Sequence, residues 1–337
     1  MSTESTSAAP TRPVRASARS TDPQALLEAA RGGDRRSLAR LLSLVERGGA
    51  PGRAVAALSY RTPEEAATVG ITGAPGAGKS TLTDRLIAAA RAEGGPVAVL
   101  AVDPSSPFSG GAILGDRVRM QEHALDDGVF IRSMATRGHL GGLALAVPEA
   151  VRLLSAVSCP LVLVETVGVG QVEVEVASAT DTTVVVVNPR WGDAIQANKA
   201  GLLEIADIFV INKADNPGAR ETRRDLEQML DLSTPGSWRP PIVDTVAATG
   251  QGVDELWAEI RRHQAHMAGD GTLERRRRAR LEGELKAVVS ARITADVEEL
   301  LVRGDLRSLS EDVLAHRLDP YAAADRVLDR LHGTGTA

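Results

Sequence analysis

Gly73-Ala74-Pro75-Gly76-Ala77-Gly78-Lys79-Ser80-Thr81 decides how the rest of the chain is read. The stretch fits G-x-x-x-x-G-K-[ST], and its flanks fit as well. Thr68 to Thr72 reads as a short buried strand, and Leu82, Leu86, Ile87 and Ala90 recur at helical spacing. Strand, glycine loop and helix form the setting in which this motif binds phosphate. Gly73, Gly76 and Gly78 permit positive φ and close approach of a ligand. Their N–H groups and the helix N-terminus would converge on an anion. Lys79 would reach the β- and γ-phosphates and serve catalysis, and the Ser80 hydroxyl would ligate Mg2+. The plainer alternative is a glycine turn that caps a helix, with Lys79 solvated; the correct flanks weigh against it. The loop specifies a nucleoside triphosphate without naming its base.

Outward from the loop, short apolar runs alternate with helical periods. Pro96 to Val102 ends in Asp103, Leu161 to Val164 ends in Glu165, Thr183 to Val187 is uninterrupted, and Ile208 to Ile211 ends in Asn212. Phe130-Ile131 is a weaker strand and Pro241 to Val243 the last. Such runs separated by helices predict an α/β P-loop NTPase fold, with a mostly parallel sheet flanked by helices. Helical extensions at both ends complete it. The expected division is a disordered tail over 1–21, an N-terminal helical segment over 22–65, the P-loop domain over 66–268, and a C-terminal helical segment over 269–337. In the second of these, Asp22-Pro23 reads as a helix start, and two amphipathic helices precede a break at Gly48 to Gly52. The charge-rich run Glu274 to Glu282 reads as a solvated helix face or, alternatively, a face that packs on a second subunit.

Asn212-Lys213-Ala214-Asp215 follows a buried strand at the edge where open α/β sheets bind ligands. A carboxylate at Asp215 accepts both guanine N1–H and the exocyclic amine, while adenine offers no donor at that position. Asn212 would bond the purine N7 and neighbouring loops, and the Lys213 stem would lie over the ring. Across the base, Thr245 to Gly250 is the matching loop. It has Val246 where a serine hydroxyl is usual, and the Ala247 N–H remains to meet guanine O6. Ser80, Asp103, Glu165 and the loop residue Asp116 are hard oxygen donors suited to Mg2+. Gly168, in Glu165-Thr166-Val167-Gly168, would offer its N–H to the γ-phosphate.

Composition excludes other classes. A net charge of −5 argues against a general nucleic-acid or membrane-surface role, and 2% aromatic residues leave few stacking platforms. The single cysteine, Cys159, rules out an internal disulfide or a cysteine-cluster metal site, and a buried thiol is expected. No apolar run nears the roughly 20 residues needed to span a bilayer. The N-terminal stretch has only a faint transit-peptide likeness, so a cytoplasmic protein is expected.

The block Val99 to Met120, with Asp103-Pro104-Ser105-Ser106-Pro107 and Gly115-Asp116-Arg117, is similar to the switch I region of the methylmalonyl-CoA mutase-associated GTPases (MeaB/ArgK type). Glu165 to Gln171 and Ile205 to Asp215 resemble that family too. The resemblance implies a homodimeric GTPase that serves as chaperone to an adenosylcobalamin-dependent acyl-CoA mutase, with the cobalamin on the partner. By position it assigns phosphate and metal to Lys79 and Ser80, metal and switch I to Asp103, Asp116 and Glu165, and the base to Asn212, Lys213 and Asp215. Asn188 to Lys199, including Arg190, Trp191 and Asp193, matches a further mobile switch that would couple nucleotide state to the mutase. Gln171 is the candidate to position the hydrolytic water, and Arg132, Arg137 and Arg190 are candidate arginine fingers. Such a site would turn over slowly without a partner. Two alternatives are a nucleotide-dependent kinase or transport ATPase, opposed by Asn212 to Asp215, and a GTP-dependent metallochaperone. The second lacks a cargo cluster, since one cysteine and six scattered histidines do not make one.

Overall fold

The computed structural model describes residues 22–61, 65–103, 123, 125–135, 142–166, 172–189, 204–232, 237–302 and 306–331. Three helices come first: α1 (Pro23–Arg31), α2 (Arg35–Arg47) and α3 (Gly49–Ser59). Then follow β1 (Ala67–Gly73), α4 (Lys79–Ala92), β2 (Val97–Asp103), β3 (Val129–Ala135), α5 (Gly142–Ala156) and β4 (Leu161–Thr166). The core closes with α6 (Val172–Ala179), β5 (Thr182–Val187), β6 (Ile208–Asn212), α7 (Ala219–Leu232), β7 (Ile242–Thr245) and α8 (Val253–Asp270). Last come α9 (Thr272–Val302), α10 (Arg307–Leu314) and α11 (Pro320–Leu331).

Seven strands form one parallel sheet in the order β3-β2-β4-β1-β5-β6-β7. The uninterrupted apolar runs follow from burial on both faces. Alternate residues of β2 go to opposite sides: Val97 and Val99 join Leu82, Leu86, Leu256 and Ile260 of α4 and α8. Ala98, Leu100 and Val102 join Leu38, Leu41, Leu42 and Leu153 of α2 and α5. A third cluster seats Leu226 and Leu230 of α7 on Phe209 and Ile211. Leu86 is fully buried, and truncation to alanine would cost about 2–5 kcal/mol. β3 reads weakly in sequence because it is an edge strand. It carries Arg132, which pairs with Glu46 and donates to Ser43 Oγ (3.0 Å) on α2. Arg132 therefore fastens the N-terminal helices to the sheet and is not poised as an arginine finger.

The N-terminal segment corrects the sequence reading. Asp22 caps α1 as expected, accepting from the N–H groups of Gln24 (3.2 Å) and Ala25 (3.4 Å). The stretch Gly48 to Gly52, read as a terminal break, instead ends one helix and starts a third. Gly48, at φ 64°, serves both, and Pro51 sits in the first turn of α3, where a missing N–H goes unused. Gly52 lets α3 cross closely over α2: a Cβ there would lie 2.8 Å from the Leu44 carbonyl oxygen. Cys159 is buried as expected, and burial pushes its thiol up to about 11.

At the N-terminal edge of the sheet, two buried aspartates precede β5 and β6. Asp181 Oδ2 accepts the Thr68 N–H (3.2 Å) and Arg277 Nη2 (2.8 Å), while Oδ1 accepts Arg280 Nη2 (3.0 Å). Asp207 takes a bidentate pair from Arg276 (2.8 and 2.9 Å), the Thr183 N–H (2.9 Å) and a contact with His263 Nε2 at 3.3 Å. The run Glu274 to Glu282 is thus not simply a solvated face, because three of its arginines are bound to buried carboxylates. Burial, the largest influence, pushes both carboxyls up. Arg277 and Arg280 at Asp181, and His263 and Arg276 at Asp207, more than offset it and hold both below the usual carboxylate range.

The chain divides into two compact units, Met1–Arg280 and Leu281–Ala337. In the second, Leu306 and Leu309 are buried, while Leu285, Leu314 and Tyr321 face outward and α11 buries none of its residues.

Candidate nucleotide site

The loop between β1 and α4 has the backbone that its glycines anticipate. Gly73, Gly76 and Gly78 all have positive φ (130°, 71° and 89°). Two of them are also confined: a Cβ on Gly73 would sit 2.0 Å from the Val186 carbonyl oxygen, and one on Gly78 would sit 2.4 Å from Asn212 Nδ2. Ala74 and Ala77 pack beneath the loop, whereas Pro75, Gly76 and Thr81 are exposed. α4 starts at Lys79 with no side-chain cap on its first N–H groups, which leaves them to an external anion. Lys79 is buried, and its Nζ donates to the carbonyls of Gly73 (2.8 Å) and Ala74 (3.0 Å). These are neutral acceptors that a phosphate oxygen outcompetes for an ammonium.

Ser80 Oγ donates to Glu165 Oε1 at 2.6 Å, in a pairing buried on both sides. Glu165 belongs to β4, which pairs with β2 through Ala101↔Glu165 and Val102↔Thr166, so Asp103 is the next residue along the same edge. The structure therefore brings Ser80 and Glu165 into contact and places the backbone of Asp103 beside them. Among the described residues no three His, Cys, Asp or Glu side chains form a metal-holding group. A hydroxyl plus one carboxylate, with phosphates supplying the remaining oxygens, is how Mg2+ is commonly held. Asp116, Gly168, Gln171, Arg190, Trp191, Asp193 and Lys199 lie outside the described residues, as do Arg137 and most of the Asp103 to Met120 block.

The base loops are held by one buried amide. Asn212 Nδ2 donates to the Ala77 carbonyl (2.7 Å), and its Oδ1 accepts from Thr245 Oγ1 (3.1 Å) and the Ala247 N–H (3.0 Å). Two donors on one atom and an acceptor on the other admit only this amide orientation. Sequence reading leaves the Ala247 N–H available for the base; in the structure Asn212 already accepts it, and a guanine O6 would have to share it. The hydroxyl missing at Val246 is supplied by Thr245, fully buried at the end of β7. Its signal in the sequence is a hydroxyl residue at a strand end, one position before the expected serine. Lys213, at φ 58°, stretches back over the loop to the Gly76 carbonyl (2.8 Å), and Asp215 is exposed beyond it. Arg85 on α4 donates to the carbonyls of Ala247 (3.2 Å) and Ala248 (3.3 Å), a link sequence reasoning missed because an arginine on an amphipathic helix reads as solvated.

A phosphate loop, a hydroxyl–carboxylate pair and the loops joined by Asn212 thus lie along the C-terminal edge of one parallel sheet. Comparison with known proteins agrees with the P-loop NTPase fold. A putative GTPase of Pyrococcus abyssi is 50% identical over 314 residues, covering 92% of this chain and 97% of its own. The mitochondrial methylmalonic aciduria type A homolog of mouse is 35% identical over 266 residues, covering 77% of this chain and 64% of its own. Among solved structures, a LAO/AO transport system kinase superposes with a TM-score of 0.67 at 26% identity, covering 92% of this chain and 97% of that one. The family model described as methylmalonyl-CoA mutase-associated GTPase MeaB matches residues 38–300, and the chain belongs to that family.

Proposed function

We propose that the chain binds GTP with Mg2+ and hydrolyses it to GDP and phosphate, slowly alone and faster with a partner. Its nucleotide state would gate adenosylcobalamin loading, and protection, of a B12-dependent acyl-CoA mutase such as methylmalonyl-CoA mutase. The observation that carries the purine reading is the saturation of Asn212, and the exposed Asp215 beside it makes that purine guanine. Both Oδ1 lone pairs and one Nδ2 hydrogen are used, which leaves a single amide hydrogen for the purine N7. Asp215, exposed just beyond, supplies the carboxylate that separates guanine from adenine.

On nucleotide binding, Lys79 and Lys213 would exchange loop carbonyls for the phosphates and the base respectively. Ser80 and Glu165, with Asp103 and Asp116, would hold Mg2+, which screens charge on the phosphates. Gly168 would report the γ-phosphate and Gln171 would orient water, while Arg190, Trp191, Asp193 and Lys199 would carry the state to the mutase. Only contacts with the mutase that differ between GTP and GDP states convert hydrolysis into work. Support for that partner is the family itself and the mouse relative's name. The outward apolar side chains of the second unit, Leu285, Leu314 and Tyr321, suit a homodimer. Among the described residues no helix is long and apolar enough to cross a membrane.

The name of the matched transport system kinase favours a second reading, in which the site serves ATP-driven phosphotransfer. Competition of ATP against GTP separates the two, since guanine recognition requires GTP to bind far more tightly. Phosphate release, measured with and without purified acyl-CoA mutases, tests the chaperone role; no stimulation and no nucleotide-dependent complex with any of them would reject it.

A further inference from the structure

We propose that Arg85 is a specificity-determining positioning residue for the purine site, acting from the phosphate-binding helix; this rests on the guanine reading above. Arg85 lies on α4, the helix that opens with Lys79 and Ser80, yet its guanidinium reaches the base loop. Nε donates to the Ala247 carbonyl at 3.2 Å and Nη2 to the Ala248 carbonyl at 3.3 Å. The Ala247 N–H is meanwhile held from the other side by Asn212 Oδ1 at 3.0 Å. Ala247 is therefore clamped at both of its peptide groups, on the N–H side from β6 and on the carbonyl side from α4.

The loop between those clamps is closed by its own backbone. Val246 N–H donates to the Gln251 carbonyl (3.0 Å), and Thr249 N–H donates to the Val246 carbonyl (3.0 Å). Gly252 must be glycine for the chain to return, because a Cβ would fall 2.1 Å from the Asp244 carbonyl oxygen. A turn so closed is held as a unit. Arg85 ties that unit to α4. Its planar fork spans two successive carbonyls, which a lysine's single ammonium does not match. Thr249 Oγ1 braces the turn from within at the Val246 carbonyl (3.1 Å), Thr245 braces Asn212, and Arg85 adds a brace from α4. The guanidinium of Arg85 bonds the base loop, so it sets where the loop's donors meet guanine O6 without bearing on the phosphates.

The test is equilibrium competition of GTP, ATP and inorganic tripolyphosphate on the full chain and on Arg85→Ala, Arg85→Gln and Arg85→Lys. Loss of two charge-assisted bonds to a partly solvated loop should weaken GTP by about tenfold in Arg85→Ala. ATP and tripolyphosphate should stay within about twofold, because neither draws on the guanine contacts that the clamp positions. Arg85→Gln, with one donor group, and Arg85→Lys should each recover only part of the loss. Hydrogen exchange at residues 246–250 should rise in the variants while that at 73–80 does not. If GTP and ATP weaken in parallel, or the wild-type preference survives in all three variants, Arg85 is a structural strap and the proposal fails. A wild type that does not prefer GTP over ATP instead refutes the guanine reading, and this proposal with it.

Discussion

The two edges of the sheet use the same chemistry and do opposite things with it. At the C-terminal edge, the lysines Lys79 and Lys213 rest on the neutral carbonyls of Gly73, Ala74 and Gly76. At the N-terminal edge, the carboxylates of Asp181 and Asp207 are closed by arginines in charge-assisted, partly bidentate pairs that also cap the N–H groups of Thr68 and Thr183. A cation on a carbonyl gives way to an anionic ligand; a carboxylate already matched to a guanidinium has nothing further to bind. What distinguishes a site from a latch here is the pairing itself: lysine on backbone carbonyls at one edge, arginine on buried carboxylates at the other.

The comparison breaks most visibly at Lys79. Lys79→Ala should abolish nucleotide binding, because a buried ammonium makes the strongest bonds to phosphate, with little change in melting temperature. Calorimetric titration decides it, and retained tight GTP affinity would remove the phosphate assignment. At the other edge the pattern should invert. Asp207→Ala leaves Arg276 and the Thr183 N–H without their carboxylate, and should cost about 3 kcal/mol of stability. That figure sits at the low end because the Arg276 side chain is 40% exposed and water takes up part of the loss. Nucleotide affinity of the folded variant should be unchanged; a drop in affinity equal to Lys79→Ala would mean the edges are not separate.

Acid sharpens the same contrast. Asp181 and Asp207 are held below the usual carboxylate range in the fold, so the unfolded chain binds protons more readily than the native one. The stability they contribute is present above the unfolded carboxyl value of about 4, and is lost as pH falls through their lower folded values. Urea melts between neutral and acid pH should show a steep decline there in wild type and a shallower one in Asp207→Asn. Equal slopes would place the acid-labile groups elsewhere. A smaller effect is expected at Asp215→Asn, about 2 kcal/mol against GTP with a relative gain for xanthosine triphosphate. An unchanged preference would count against guanine.

The active edge was more legible than the latch. Phosphate and base motifs advertise themselves because each needs a fixed spacing within one strand–loop–helix unit, as Gly73 to Thr81 and Asn212 to Asp215 do. The apolar runs of β2, β4, β5 and β6 were readable because both their faces are buried. Asp181–Arg277 and Asp207–Arg276 span 96 and 69 residues, and no local pattern announces such a pairing. The roles of Arg85 and Thr245 leave no local pattern for the same reason: they are set by partners on other elements. The third helix is not legible locally, because Gly48 to Pro51 is equally good punctuation for an end and for a start.

The subtlest difference between the edges is a neutral strut. Thr245 Oγ1 is buried and donates to Asn212 Oδ1 at 3.1 Å, so it orients the amide without touching the base. Thr245→Val keeps the volume and β-branching but removes the donor, and should weaken GTP by about 1 kcal/mol, the net worth of one neutral hydrogen bond. Thr245→Ser should restore it, since the hydroxyl rather than the methyl carries the effect. Because Asn212 also ties the base loop to the P-loop through the Ala77 carbonyl, the loss should appear as faster GTP dissociation, measurable by stopped flow with a fluorescent analogue. No change in the dissociation rate on Thr245→Val would show that the Ala247 N–H alone fixes Asn212, and that the C-terminal edge needs no hydroxyl to replace the missing serine.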